Sequence, residues 1–206
     1  MLDSRQFDLW AVGYDRSVGL SDDNGEYPFA GYREVLNLIY SSVLQRGAGR
    51  VLDIGFGTGK LTKKLYDAGC EICGQDFSAR MTELAQEKMP EAKLITADFS
   101  EGLAPELKAY RFDAVIATYS LHHLDDARKA AFIGELPPLL NEGGRILIGD
   151  VAFGTRRELE LCRERAGESW DDEEFYFVYE ELQADFPKLE FTRISHCAGV
   201  FSLSRD

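Results

Sequence analysis

Apolar and polar positions along this chain follow two alternating rhythms: a short apolar run, then a stretch with apolar residues three and four apart. Arg50 to Ile54 reads as a strand closed by a glycine cluster, and Leu61 to Ala68 as a helix that stops at Gly69. The pair repeats as a strand over Glu71 to Asp76 and a helix over Ala79 to Met89, with Met81, Leu84, Ala85 and Met89 on one face and Pro90 as the stop. Lys93 to Ala97 and Asp113 to Thr118 are the next strands. A helix then opens near Asp125 or Asp126 and must end or kink at Leu136, before Pro137-Pro138. Asn141 to Gly144 turns the chain into a strand over Arg145 to Asp150. Such alternation predicts the α/β class, with a doubly wound, mainly parallel sheet whose ligands gather beyond the carboxyl ends of the strands. Leu189 to Cys197 and Val200 to Ser204, separated by Ala198-Gly199, predict an antiparallel hairpin at the sheet edge and complete seven strands.

Two segments lie outside this frame. Residues 1–46 place Trp10, Tyr14, Tyr27, Phe29 and Tyr32 ahead of an amphipathic helix over Glu34 to Arg46, an N-terminal helical cap. Residues 151–187 hold a charged helix opened by the capping box Thr155 to Glu158. An acid run, Asp171 to Glu174, follows and reads as a solvated helix start leading into Phe175, Val178, Tyr179 and Leu182 at helical spacing. With no repeat or low-complexity linker, residues 1–206 read as a single domain.

Charge narrows the partners. The chain has 23 Lys and Arg against 36 Asp and Glu, a net −13, which repels nucleic-acid backbones and anionic membrane surfaces. The opening residues carry acids where a signal peptide would be apolar, and no run approaches the roughly 20 apolar residues of a membrane span, so the expected location is cytoplasmic. Cys70, Cys73, Cys162 and Cys197 are too scattered for a disulfide scaffold, and Cys70 and Cys73 flank a strand start instead of opening a helix, so no redox or metal site is expected from them.

The densest signal is Val51-Leu-Asp-Ile-Gly-Phe-Gly-Thr-Gly59, a buried strand running into three glycines spaced two apart. Glycine supplies positive φ in a tight turn and bare backbone where a ligand approaches. A dinucleotide fingerprint would need glycine at position 60, where Lys60 stands. Asp53, inside the strand, would oppose a pyrophosphate and suits a ligand carrying a cation. This arrangement resembles motif I of the class I S-adenosylmethionine-dependent methyltransferases. Asp76 follows Gly55 at about the 20-residue interval of a ribose-binding acid, with Phe77 behind it, and Asp98-Phe99 closes the third strand. The resemblance spans residues 7 to 203, taking in Phe7 to Asp15, Thr118 to Leu124 and Gly143 to Ile146, and the chain is further similar to the YrrT-like group of bacterial methyltransferases.

The resemblance implies S-adenosyl-L-methionine as cofactor, held by Tyr14, Asp53, Gly55, Gly57, Gly59, Asp76, Phe77, Asp98, Phe99 and Thr118. It implies in-line methyl transfer to a small-molecule acceptor under a cover formed by residues 151–187, where Phe153, Trp170, Tyr176 and Phe177 could wall a pocket. His123, with His122 beside it, stands where a general base would serve, just past the fourth strand. Base N-methylation loses support because Ala117-Thr-Tyr-Ser120 replaces the Asn or Asp with Pro-Pro and an aromatic of the amino-base enzymes, and no cysteine follows a proline as in the cytosine C5 enzymes. The expected partner is therefore a small organic molecule and not nucleic acid. A non-catalytic module binding the same cofactor and, behind it, a nicotinamide-dependent oxidoreductase are the competing readings; oligomeric state is not encoded in these patterns.

Overall fold

The computed structural model describes residues 22, 24–47 and 49–205. Tyr14, Trp10 and the Phe7 to Asp15 segment lie outside the described residues. The first described helix, α1 (Tyr32–Leu44), buries Tyr32, Val35, Leu36, Ile39 and Val43, and its first turn is satisfied from a distance: Asp22 Oδ1 accepts from the Gly31 and Tyr32 N–H groups at 3.1 and 3.0 Å.

The frame follows as β1 (Arg50–Ile54), α2 (Lys60–Asp67), β2 (Glu71–Asp76), α3 (Ala79–Lys88), β3 (Lys93–Thr96), the one-turn α4 (Pro105–Lys108), β4 (Phe112–Thr118), α5 (Asp126–Glu135) and β5 (Leu140–Phe153). Each helix begins and ends where its residues demand. Ser78 and Asp125 cap α3 and α5 by accepting from Met81 N and Arg128 N, and Pro137-Pro138 forces α5 to finish at Leu136. The remaining elements are α6 (Arg156–Ala166), which carries the expected capping box on Thr155 and Glu158, β6 (Phe177–Val178), α7 (Tyr179–Asp185), β7 (Glu190–Arg193) and β8 (Ala198–Ser204).

The sheet order is β3-β2-β1-β4-β5-β8-β7, parallel through β5 and antiparallel at β8. Alternate residues feed opposite cores. On one face Val51, Ala114, Ile116 and Leu147 pack beneath α1 and α2 with Ile39, Leu61 and Leu65; on the other Leu52, Val115, Ala117, Ile146 and Ile148 meet Phe132 and Ile133 of α5. The strand reversal between β1 and β4 leaves a crevice at their carboxyl ends, where an open α/β sheet holds its ligand.

Three expectations are corrected. The sheet gains an eighth strand, because β6 pairs Phe177 and Val178 with Ala152 and Phe153 of β5, so Phe175 and Val178 do not lie on a helix. Ala198-Gly199 is not the hairpin turn: both residues sit in β8, Gly199 opposite Arg193, and the chain reverses over residues 194–197. Gly199 is there for packing, since a Cβ on it would lie 2.3 Å from Phe191 Cε2. The acid run Asp171 to Glu174 starts no helix; it is a turn, with Glu173 N–H donating to Asp171 Oδ1 at 2.8 Å.

Candidate functional site

The glycine turn after β1 is built for two different contacts. Gly55 has φ 70°, and a Cβ there would stand 2.4 Å from Cβ of Ser120, whose hydroxyl donates to Ile54 O at 2.8 Å. Gly55 thus lets the loop after β4 lock against the tip of β1. Gly57, at φ 54°, has nothing within 4 Å of an added Cβ among the described residues and lines the crevice, so its bare backbone is open to the cavity. Gly59 is the left-handed N-cap of α2.

Three carboxylates mark successive strand ends. Asp76 is buried in the crevice wall, and its oxygens accept from Gly57 N–H at 2.8 Å and Ser78 N–H at 2.9 Å. It therefore shapes the turn as well as facing the cavity. Asp53 is 1% exposed; Thr62 donates to its Oδ2 at 2.6 Å, and Oδ1 has no hydrogen-bond partner among the described residues. Burial, reinforced by the Asp76 charge and opposed by the Thr62 hydroxyl, pushes Asp53 up to about 7. Asp98 is exposed, and its Oδ1 accepts from Ser100 N–H at 2.8 Å.

The crevice opens into two adjoining cavities. The first is lined by Gly55, Gly57, Asp76 and Thr118; the second, of about 340 Å³, by Asp98, Leu124, Glu174 and Phe175; Phe77, Phe99 and His123 belong to both walls. Of the aromatics expected to form a pocket, Phe153 and Phe177 are core residues, while Trp170 stacks on Tyr27 at 5.0 Å and meets Tyr176 edge-on at 4.9 Å. Phe175, 44% exposed, is the aromatic of that segment that reaches the cavity.

The two histidines occupy one short turn, Leu121–His123, after β4. Their ring centres lie 4.3 Å apart, but their environments differ. His122 is buried, with Nδ1 2.6 Å from Asp150 Oδ1 and Nε2 3.4 Å from Glu174 Oε1. Burial alone would push His122 down; the Asp150 carboxylate, through charge and hydrogen bond, and then Glu174 outweigh it, and the net direction is upward. His123 is pushed down to about 3 by burial and by the neighbouring His122. That leaves it neutral near pH 7 and a weak proton acceptor, which argues against the general-base role its position suggested.

Sequence reasoning missed three residues here. Asp150 near the end of β5 was findable, being one more acid among strand-end acids. Glu174 was not, because which member of the acid run turns inward is set by Phe175, whose N–H donates to His122 O at 2.8 Å. Lys129 on α5, 2% exposed, ties down the same segment by donating to Phe175 O and to Asp126 Oδ1.

A family described as a methyltransferase domain matches residues 51–144. An uncharacterized methyltransferase from Anoxybacillus flavithermus is 35% identical over 194 residues, covering 92% of this chain and 86% of that protein. Another from Bacillus cytotoxicus is 33% identical over 211 residues, covering 97% and 96%. Among solved structures, magnesium protoporphyrin IX methyltransferase from Synechocystis, crystallised with bound S-adenosylhomocysteine, has a similar fold: TM-score 0.68 at 20% identity, covering 86% of this chain and 85% of that one.

Proposed function

This chain belongs to the class I S-adenosylmethionine-dependent methyltransferases, and from that premise we propose that it binds S-adenosylmethionine in the crevice and methylates a small organic acceptor. The observation that carries the reading is the buried Asp53 oxygen without a partner among the described residues, with the Asp76 carboxylate at the next strand end. An unpaired buried carboxylate oxygen is costly, and a ligand bearing an ammonium and a sulfonium relieves that cost where a pyrophosphate would add to it.

The residues present fit such a ligand. Gly55 and Gly57 line the crevice where its amino-acid end would lie, with Thr118 in the opposite wall, Gly59 opening α2 behind the turn and Asp53 buried in β1 beneath it. Asp76 faces the cavity, and the two oxygens of a carboxylate can accept from ribose hydroxyls as well as from the Gly57 and Ser78 N–H groups. Phe77 and Phe99 offer apolar plates for the adenine, and Asp98 an acceptor for its amino group. Bound there, S-adenosylmethionine would supply an electrophilic methyl on sulfur for in-line transfer to the acceptor's nucleophile, with S-adenosylhomocysteine as the leaving group. What the chain adds is positioning and exclusion of water, contributions that reach roughly 7–11 kcal/mol without a proton-transfer residue.

Calorimetric titration tests the reading. S-adenosylhomocysteine should bind with micromolar-range affinity and NADH should not, and Asp76→Ala should weaken binding roughly 10- to 150-fold, the equivalent of about 1.5–3 kcal/mol for a lost charged hydrogen-bond acceptor. Binding of NADH with no uptake of S-adenosylhomocysteine would overturn it. A screen of small amines, thiols, hydroxy acids and phenols for S-adenosylhomocysteine release then identifies the acceptor and separates an enzyme from a binding module.

A further inference from the structure

We propose that His122, His123 and Glu174 form a binding site for one divalent transition-metal ion, Zn²⁺ or a metal of similar ligand preference, with Asp150 as the outer carboxylate that orients His122. One ligand atom from each of the three residues lies within 4.8 Å of the others. The tightest pair, His122 Nε2 and Glu174 Oε1, stands at 3.4 Å. That separation matches the ligand-to-ligand edge of a tetrahedral ion with bonds of about 2.0–2.2 Å, close to 3.4 Å.

The surroundings of His122 support the assignment independently. Its Nδ1 bonds Asp150 Oδ1 at 2.6 Å, which fixes the ring and leaves Nε2 facing the Glu174 carboxylate. A carboxylate behind a histidine that presents its other nitrogen forward is the arrangement that orients and strengthens a metal-ligating imidazole. Asp150 is fully buried, and its Oδ2 has no hydrogen-bond partner among the described residues, so two carboxylates flank one imidazole, with the Lys129 ammonium as the other positive charge acting on Asp150. A cation bound at Nε2 would answer both carboxylates directly.

Two imidazoles and one carboxylate favour zinc, iron, cobalt or nickel over magnesium or calcium, which prefer oxygen ligands throughout. Three protein ligands leave a coordination position open, the pattern of reactive rather than structural metal sites. His123 lines both cavities and Glu174 lines the second, so the ion borders the space beside the cofactor crevice. On the methyl-transfer reading, on which this part rests, the open position takes an oxygen, nitrogen or sulfur of the acceptor and lowers its pKa, so that its proton passes to solvent water before the methyl transfers.

The test is equilibrium binding of Zn²⁺ to untagged, chelator-treated protein, read by calorimetry and by the visible spectrum of the Co²⁺ form. We expect one ion per chain with submicromolar affinity, at least 100-fold weaker in Glu174→Gln and in His123→Gln, 10- to 100-fold weaker in Asp150→Asn, and unchanged in His196→Ala. Glu174 lies in a surface turn, so its variant stays informative even where changes at buried His122 unfold the chain. Binding of S-adenosylhomocysteine is measured on the same samples. Protein that takes up S-adenosylhomocysteine but no Zn²⁺, or binds Zn²⁺ equally in the Glu174 and His123 variants, overturns the metal site and leaves methyl transfer standing; His122 is then an imidazolium held between two carboxylates. Protein that takes up Zn²⁺ with the expected variant pattern but no S-adenosylhomocysteine supports the site and refutes the methyl donor.

Discussion

Replacing Asp53 by Asn should make the ligand-free protein more tolerant of alkaline conditions while weakening its hold on the cofactor. In the folded chain Asp53 keeps its proton up to about pH 7, whereas the unfolded chain releases it near 3.8, the ordinary value for an aspartate. Between those limits the folded state holds more protons, so this group's contribution to stability falls as pH rises and levels off above about 7. The gap between the two values corresponds to roughly 4 kcal/mol as a ceiling, of which about 3 kcal/mol is lost between about pH 5 and pH 8. The carboxamide of the Asp53→Asn variant does not titrate. Its carbonyl still accepts from Thr62, and its amide carries a fixed cost for an unpaired donor of about 1–3 kcal/mol that does not change with pH. The stability difference, variant minus wild type, should therefore rise by about 3 kcal/mol from about pH 5 to pH 8 in urea unfolding without ligand. S-adenosylhomocysteine, whose ammonium draws Asp53 into its charged form, should bind wild type near pH 6 with release of up to one proton, visible as a buffer-dependent heat. The variant should bind more weakly with no such release. A stability difference that stays flat across pH would show that burial does not hold the Asp53 proton, and the electrostatic basis for the cofactor would go with it.

Two further outcomes follow from the packing. Gly55→Ala should cost several kcal/mol, summing about 1–2 for positive φ and about 1–3 for the clash with Ser120, and Ser120→Gly should restore part of it in thermal melts; absence of rescue would place the strain elsewhere. Lys129→Met should leave Phe175 O without its donor, destabilise the fold by about 1–3 kcal/mol, and speed hydrogen exchange at the Phe175 amide at least tenfold; unchanged exchange would mean the ammonium does not hold that segment.

What was legible in the sequence was what nearest neighbours decide. The strands from Arg50 to Asp150 and the helix starts at Asp125 and Thr155 rest on local periodicity and side chains three residues away, and the structure has them. Phe175 to Leu182 kept helical spacing in the sequence, yet Phe177 and Val178 pair with Ala152 and Phe153, a partnership that no local window contains. Gly199 looked like a turn residue because a bare backbone beneath the Phe191 ring gives the same letter. At the site, the acids at strand ends could be read one by one. Their partners could not: Asp53 and Thr62 are close in sequence, but Asp76 reaches back from β2 to Gly57 after β1, and His122 after β4 joins Asp150 of β5 and Glu174 of a distant turn.

The segment leading into β6 is stitched to its neighbours at Glu174 and Phe175: the Glu174 carboxylate faces His122 in the turn after β4, and Phe175 donates its N–H to His122 O and accepts from Lys129 of α5 on its carbonyl. Upstream of that stitch, residues 156–173 are anchored mainly through α6, its capping box and the Trp170 contacts. Length and composition can thus vary there while Glu174 stays in register with the imidazoles. Descendants of such a chain have a stretch in which to remodel the acceptor's surroundings without disturbing the donor's, so divergence in what is methylated should accumulate between Arg156 and Glu173 and spare the strand tips.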